Sequence, residues 1–130
     1  MSVINEVLEA TIGLMNATHP FANVTRGALP IKGGIVCEVG PTMPEAVYLD
    51  KNSYVPLTVV LNGKHANLET LSDAMNRIHA ELTRATSYPS GEGWEIVDIT
   101  NGTLPEKIGR EDNNDWLMAS RLDVKFYWKG

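Results

Sequence analysis

The chain has a single cysteine, Cys37, which excludes an intrachain disulfide. Its surroundings, "GGIVCEVG", predict a strand in which the thiol packs as a small hydrophobe, whereas a reactive thiol would need a cationic or basic neighbour. Long apolar runs are also missing: nothing approaches the roughly 20 residues of a membrane-spanning helix. The start, "MSVINEVLEA", lacks the basic opening and apolar core of a signal peptide. These two absences predict a cytosolic protein without membrane contact, in which the sequons at Asn16, Asn23 and Asn101 are coincidental. Runs of Lys and Arg are absent too, and the net charge is -5. Direct nucleic-acid readout, which needs clustered cations to displace counterions from phosphates, is not expected.

Catalytic and metal-binding patterns are equally scarce. His19, His65 and His79 do not stand at metal-ligand spacing with one another, with Cys37 or with a carboxylate. His79 flanks an apolar helical stripe and reads as a packed or partly exposed imidazole. The "NGK" at residues 62–64 is too short for a phosphate-binding loop and reads as a turn. The acidic stretch Glu111, Asp112, Asn113, Asn114, Asp115 superficially suggests a calcium loop. However, Leu117 and Ala119 fall where ligands are needed, and a strand follows instead of a helix. No nucleophile-elbow motif is present, and nothing supports a carboxylate pair for glycoside hydrolysis. No catalytic residue, cofactor or metal site is therefore assigned, and a structural or binding role is expected over an enzyme.

What the chain does have suits one domain: 130 residues, 43% hydrophobic and 21% charged. Ile4, Val7, Leu8, Thr11, Leu14 and Met15 follow helical spacing and predict a helix over 3–17, ending before Pro20. Strands are expected in "FANVTRGAL", "GGIVCEVG", "PEAVYLD" and "NSYVPLTVVLNG". In the last of these Val55, Leu57, Val59 and Leu61 alternate with Tyr54, Pro56, Thr58 and Val60. Pro56 has no N–H for a ladder and belongs at an edge, a bulge or the first part of the strand. Asn62-Gly63 signals a turn. Leu68, Leu71, Met75, Ile78 and Leu82 predict a second helix with Asn67 as its N-cap. "WEIVDIT" and Ser120–Trp128 read as two final strands, with Leu122, Val124, Phe126 and Trp128 inward and Arg121, Asp123, Lys125 and Tyr127 outward. The polar connection between these strands has no helical period and reads as a long loop. This order predicts an α+β domain: a mainly antiparallel sheet with an N-terminal helix and one long central helix packed on it.

The same order carries a resemblance. An amphipathic helix ("VINEVLEATIGLM") precedes a strand group containing "SYVPLTVVLNG". One long helix follows ("NLETLSDAMNRIHAELTRA"), then "WEIVDIT" and the closing "PEKIGREDNNDWLMASRLDVKFYWK". Taken together, these resemble the tail terminator, or tail completion, proteins of long-tailed bacteriophages and prophages, including the group called phage minor capsid proteins. The resemblance implies an α+β subunit of the virion that assembles in the host cytoplasm. It implies self-association into a hexameric ring that caps the tail-tube protein and meets the head-connector protein, with no enzyme activity and no cofactor. Such ring interfaces are heterologous, one patch meeting a different patch on the neighbour.

Two surfaces are expected to make these contacts. One is the loop from Gly102 to Asp115, with Arg110, Glu111, Asp112, Asn113, Asn114 and Asp115 at its charged end. The other is the outer face of the last strand, Arg121, Asp123, Lys125 and Tyr127, placed in the lumen or on the ring surface; the residues equally allow a solvated hairpin loop for the first, and for the second a plain solvent face is the reading that mixed charge favours. The resemblance leaves open a head-completion or connector role. The residues alone also allow a small cytosolic ligand-binding or enzymatic α+β domain.

Overall fold

The computed structural model describes residues 3–40, 53–111 and 114–129. In chain order the elements are α1 (Val3–Asn16), β1 (Thr25–Arg26), β2 (Gly34–Val39), β3 (Ser53–His65), α2 (Leu68–Thr83), β4 (Ser90–Gly91), β5 (Trp94–Arg110) and β6 (Trp116–Trp128). The strands form one sheet in the order β1-β2-β3-β6-β5-β4. Every pairing is antiparallel except β1 with β2, which run parallel. The fold is thus α+β with a mainly antiparallel sheet, and both helices lie over one face of it.

Each helix follows from its apolar stripe and its caps. In α1 the buried residues are Val7, Leu8, Thr11, Ile12 and Met15. The helix ends at Asn16, whose side chain then clasps the returning chain: Oδ1 accepts from Val24 N at 2.7 Å and Nδ2 donates to Val24 O at 3.4 Å. His19, before Pro20, adopts φ 57°, a left-handed conformation that cannot continue a helix. In α2 the N-cap is Asn67, which accepts from Thr70 N at 3.0 Å. The α2 stripe Leu71, Ala74, Met75, Ile78, His79 and Leu82 is buried. At the far end the Tyr88 hydroxyl donates to Leu82 O at 2.7 Å, holding the exit loop to the last turn.

Strand alternation decides which residues meet the helices. Val55, Leu57, Val59 and Leu61 of β3 lie opposite Phe126, Val124, Leu122 and Ser120 of β6. Together with Ile35, Cys37, Trp94, Ile96 and Ile99, the apolar members of this layer form the core beneath α1 and α2. Pro56 sits in the first part of β3, before the β2 ladder begins at the Val39–Val59 pair. There its missing N–H interrupts no described β2 bond.

Several expectations need correction. Asn62 and Gly63 are not a turn but strand interior, paired with Val36 and Ile35 on one side and with Ala119 and Met118 on the other. Glycine is required there by the helix above: a Cβ on Gly63 would stand 2.6 Å from Leu71 Cδ1 and 2.7 Å from Met75 Sδ. "FANVTRGAL" supplies only the two residues of β1, which pair in parallel with β2 just after the Val24 that Asn16 clasps. The strand expected in "PEAVYLD" lies outside the described residues.

The largest correction concerns the expected loop from Gly102 to Asp115, most of which is strand. β5 runs to Arg110 and pairs with β6 as far as Trp116, through four register shifts between Ile96 and Gly109. Its polar composition misleads because this half of β5 is the sheet edge beyond β4 and is largely exposed on both faces. Among the described residues it has a neighbouring strand on one side only. Gly102, Pro105 and Gly109 fall at or beside the shifts, where a ladder tolerates them.

Candidate functional site

The distal end of the β5–β6 hairpin brings together most of the expected charged residues. The turn closes with Glu111 N donating to Asp115 O at 2.8 Å and Asn114 N donating to Glu111 O at 2.9 Å. Asn114 takes φ 72°, a conformation that Asn tolerates better than most side chains. Arg110 donates from Nε and Nη2 to Asn114 O at 3.3 and 3.2 Å, and its guanidinium lies 4.3 Å from the centre of the Trp116 ring. Lys107 Nζ stands 5.2 Å from the same ring. Asp112 and Asn113 lie outside the described residues.

Across the sheet, Lys64 completes this end. Its side chain is 7% exposed, and Nζ lies 2.8 Å from Glu111 Oε1 and 4.0 Å from Asp115 Oδ2. A buried ammonium needs such partners, since desolvation without them is costly. Lys64 is invisible in the sequence as a site because it sits beside Asn62-Gly63, which reads as a turn. Arg110, Glu111 and Asp115 therefore shape the turn they belong to, while Asn114 and the outer edges of Arg110 and Glu111 remain exposed.

Arg121 and Lys125 are not part of that cluster. They lie on the sheet face away from the helices, with Arg121 about five residues, or roughly 17 Å, along β6 from the turn. Arg121 Nε is 3.4 Å from Asp123 Oδ1, and Lys125 Nζ is 5.1 Å from the centre of the Tyr54 ring, which tilts against Tyr127. Gly102 makes room for the first pair: a Cβ there would collide with Arg121 Nε. Tyr54, Pro56, Asp98, Thr100, Asp123 and Lys125 border an open hollow of about 380 Å³. Its charged residues are two carboxylates, Asp98 and Asp123, and one ammonium, Lys125.

A third group is buried. His79 Nδ1 is 2.8 Å from Asn101 Oδ1, and His79 Nε2 is 2.8 Å from Ser120 Oγ. Because the amide oxygen can only accept, Nδ1 carries the proton and Nε2 accepts from the Ser120 hydroxyl. Burial holds the imidazole pKa below its ordinary value, against a smaller opposing effect of the Asn101 hydrogen bond. The order Ser–His–Asn is that of a nucleophile, its base and an orienting group. In this structure Ser120 is 4% exposed beneath α2, so its hydroxyl has no path to a substrate carbonyl. The sequence gives no sign of this group because its members are 22 and 41 residues apart.

Among the described residues no group of three or more His, Cys, Asp or Glu side chains could hold a metal ion. No helix among the described residues is long and apolar enough to cross a membrane. Cys37 is buried, and burial, followed by the Glu38 charge, pushes its thiol up to about 12. Comparison with known proteins found no family model that matches the chain and no curated protein that matches its sequence.

Proposed function

We propose that this chain is a structural virion protein of the tail-terminator kind, a subunit that closes into a ring on the end of a phage tail tube. The observation that carries this reading is the outer half of the β5–β6 hairpin. From Asn101 to Arg110 the β5 edge lacks a described outer neighbour, and Leu104 and Ile108 on it are 58% and 62% exposed. Pro105 and the register shifts blunt this edge against strand pairing, while its exposed Leu104 and Ile108 favour burial against another surface. A heterologous interface would cover this edge with a different surface of the next subunit, as a ring requires. The element order and the two helices over one sheet face also agree with the resemblance noted above.

In this reading the charged stretch Arg110–Asp115 and the open-face residues Arg121 and Lys125 contact the neighbour, the tube or the connector. The test is co-expression with the tail-tube protein of the same phage or prophage genome, where the reading requires one to be encoded, followed by light scattering and negative-stain microscopy. Rings on tube ends are expected, and they should be lost in Leu104→Asp and Ile108→Asp variants that keep the wild-type circular dichroism. A chain that stays monomeric and leaves tube ends bare in the presence of that tube protein would overturn the reading. Binding to a connector in place of the tube would move the assignment to head completion.

A further inference from the structure

We propose that the Pro30–Gly33 turn of one copy is the counter-surface for the β5 edge of the next: Ile31 enters the hollow beside Ile108, and Lys32 meets Glu106. The proposal rests on the ring reading above and deepens it by naming the two patches that join.

The turn is built to present these two residues. Gly33 N donates to Pro30 O at 3.1 Å, which puts Ile31 and Lys32 at the two central positions. The ring of Pro30 fixes its φ, and Gly33 takes φ 98°, a conformation that side chains disfavour. Gly33 also lies against the end of β3, where a Cβ would stand 2.9 Å from Lys64 O. A turn held in this way loses little freedom on docking. Ile31 is 85% exposed, the most exposed of the large apolar side chains among the described residues. Turn positions favour Gly, Pro, Asn, Asp and Ser, so neither the turn nor the core accounts for an isoleucine there.

The β5 edge offers the complement. Glu106 and Ile108 border a shallow hollow of about 200 Å³ with Thr103, Ala119 and Arg121. A cavity of about 150 Å³ holds benzene, so one isoleucine side chain has room. The cations near this edge are already engaged: Arg121 Nε lies 3.4 Å from Asp123 Oδ1, and Lys107 and Arg110 are drawn over Trp116. Glu106 is exposed and forms no salt bridge among the described residues. Near the turn, Arg26 pairs with Glu9 at 3.8 Å, while the exposed Lys32 has no such partner among the described residues. Opposite charges thus stand beside the apolar side chain of each patch, which fixes the register of docking.

Position lets the contact close. The β1–β2 side and β5 lie on opposite sides of the sheet. The register runs from Gly34 to Lys64, to Leu117 and to Gly109. The turn just before Gly34 and the Ile108 just before Gly109 therefore stand at the same height along the strands. β1 covers β2 only at Val36 and Cys37, so this corner has no outer strand among the described residues. With the ring axis along the strands, patches at equal height join head to tail without a rise per subunit. A contact of that kind can close, whereas one with a rise winds into a filament.

Charge reversal on the full chain tests the contact. Lys32→Glu and Glu106→Lys should each weaken self-association about tenfold or more, and the double variant should recover most of the loss. Sedimentation velocity reads this for the chain alone, and ring occupancy of tube ends reads it with the tail-tube protein. Circular dichroism checks that all three variants keep the wild-type fold, as expected of exposed positions. In parallel, a short bismaleimide is applied to a mixture of Ile31→Cys and Ile108→Cys chains in the same two settings. Cross-linking of one variant to the other is expected, and Cys37 is buried and does not compete. The contact is overturned by predominant self-linking of either variant, by equal association of the single and double reversals, or by absence of mixed product in both settings. The two readings fail separately. Mixed product with bare tube ends keeps the contact and sinks the terminator reading, while rings on tubes without mixed product do the reverse.

Discussion

Adding one methyl group at Gly63 tests how closely α2 sits on the sheet. The Cβ of an alanine would lie 2.6 Å from Leu71 Cδ1, 2.7 Å from Met75 Sδ and 3.7 Å from Ile35 Cγ1. Favourable contact between such atoms lies near 3.5–4.0 Å, so the overlap is about 1 Å on two sides. Neither neighbour has free space to enter, since Leu71 and Met75 are both 0% exposed. The strand cannot retreat easily, because β2 and β6 bracket it at this residue. Overpacking of this kind costs about 1–3 kcal/mol. Replacing glycine by alanine in a strand returns about 0.5–1 kcal/mol through reduced unfolded-state entropy. A net loss of about 0.5–2 kcal/mol is expected for Gly63→Ala, measured by urea denaturation with an unchanged m value. In a Leu71→Val background, where the nearest methyl group is drawn back, the same substitution should cost at least about 0.5 kcal/mol less. Wild-type stability for Gly63→Ala, or an equal cost in both backgrounds, would show that the helix does not rest on this glycine.

Three further outcomes are expected. Cys37 should resist a thiol reagent at pH 8 in the native protein and react fully in denaturant, because burial holds the thiol near 12; rapid native labelling would contradict the packing of β2. Asn67→Ala should lower stability by about 1 kcal/mol through loss of the α2 cap, while Asn67→Ser retains most of it; equal denaturation midpoints for Ala and wild type would remove the capping role. Glu111→Gln should lower stability by about 1 kcal/mol, less than for a fully enclosed pair because Glu111 is 40% exposed, and should increase proteolytic cleavage at the turn; an unchanged cleavage rate would show that Lys64 does not hold the turn.

The two helices are readable from sequence because each has a stripe and a stop signal that depend on nearby residues. Asn67, Leu71, Met75, Ile78 and Leu82 announce α2 without reference to anything distant, and the α1 stripe ends where the Asn16–Pro20 stretch begins. Strand ends are less accessible. Gly63 has the local chemistry of a turn, and only the helix above it, five to twelve residues later in the chain, explains why the strand passes straight through. The outer half of β5 hides for a related reason. Alternation marks a strand only when one face is buried, and residues 101–110 bury neither. The site follows the same division: the acidic cluster at 110–115 can be seen in sequence, whereas Lys64, which folds back to neutralise it, and the His79–Asn101–Ser120 group need the sheet register to be found.

The form of the β5 edge also bears on what kind of neighbour it can accept. A flat, regular edge offers alternate N–H and C=O groups and can add strands without limit. Here Pro105 removes a donor, and shifts between Asn101 and Thr103, Thr103 and Glu106, and Lys107 and Gly109 break the spacing of the others. An incoming strand would lose register every two or three residues, so ladder extension along this edge is penalised. The exposed side chains are not penalised in the same way: Leu104 and Ile108 stand away from the strand and favour burial by packing. An edge that rejects a continuing ladder but offers apolar side chains suits a neighbour that docks in one fixed orientation. A ring with a set number of subunits needs a contact of that kind, whereas an open sheet would grow until the protein was exhausted.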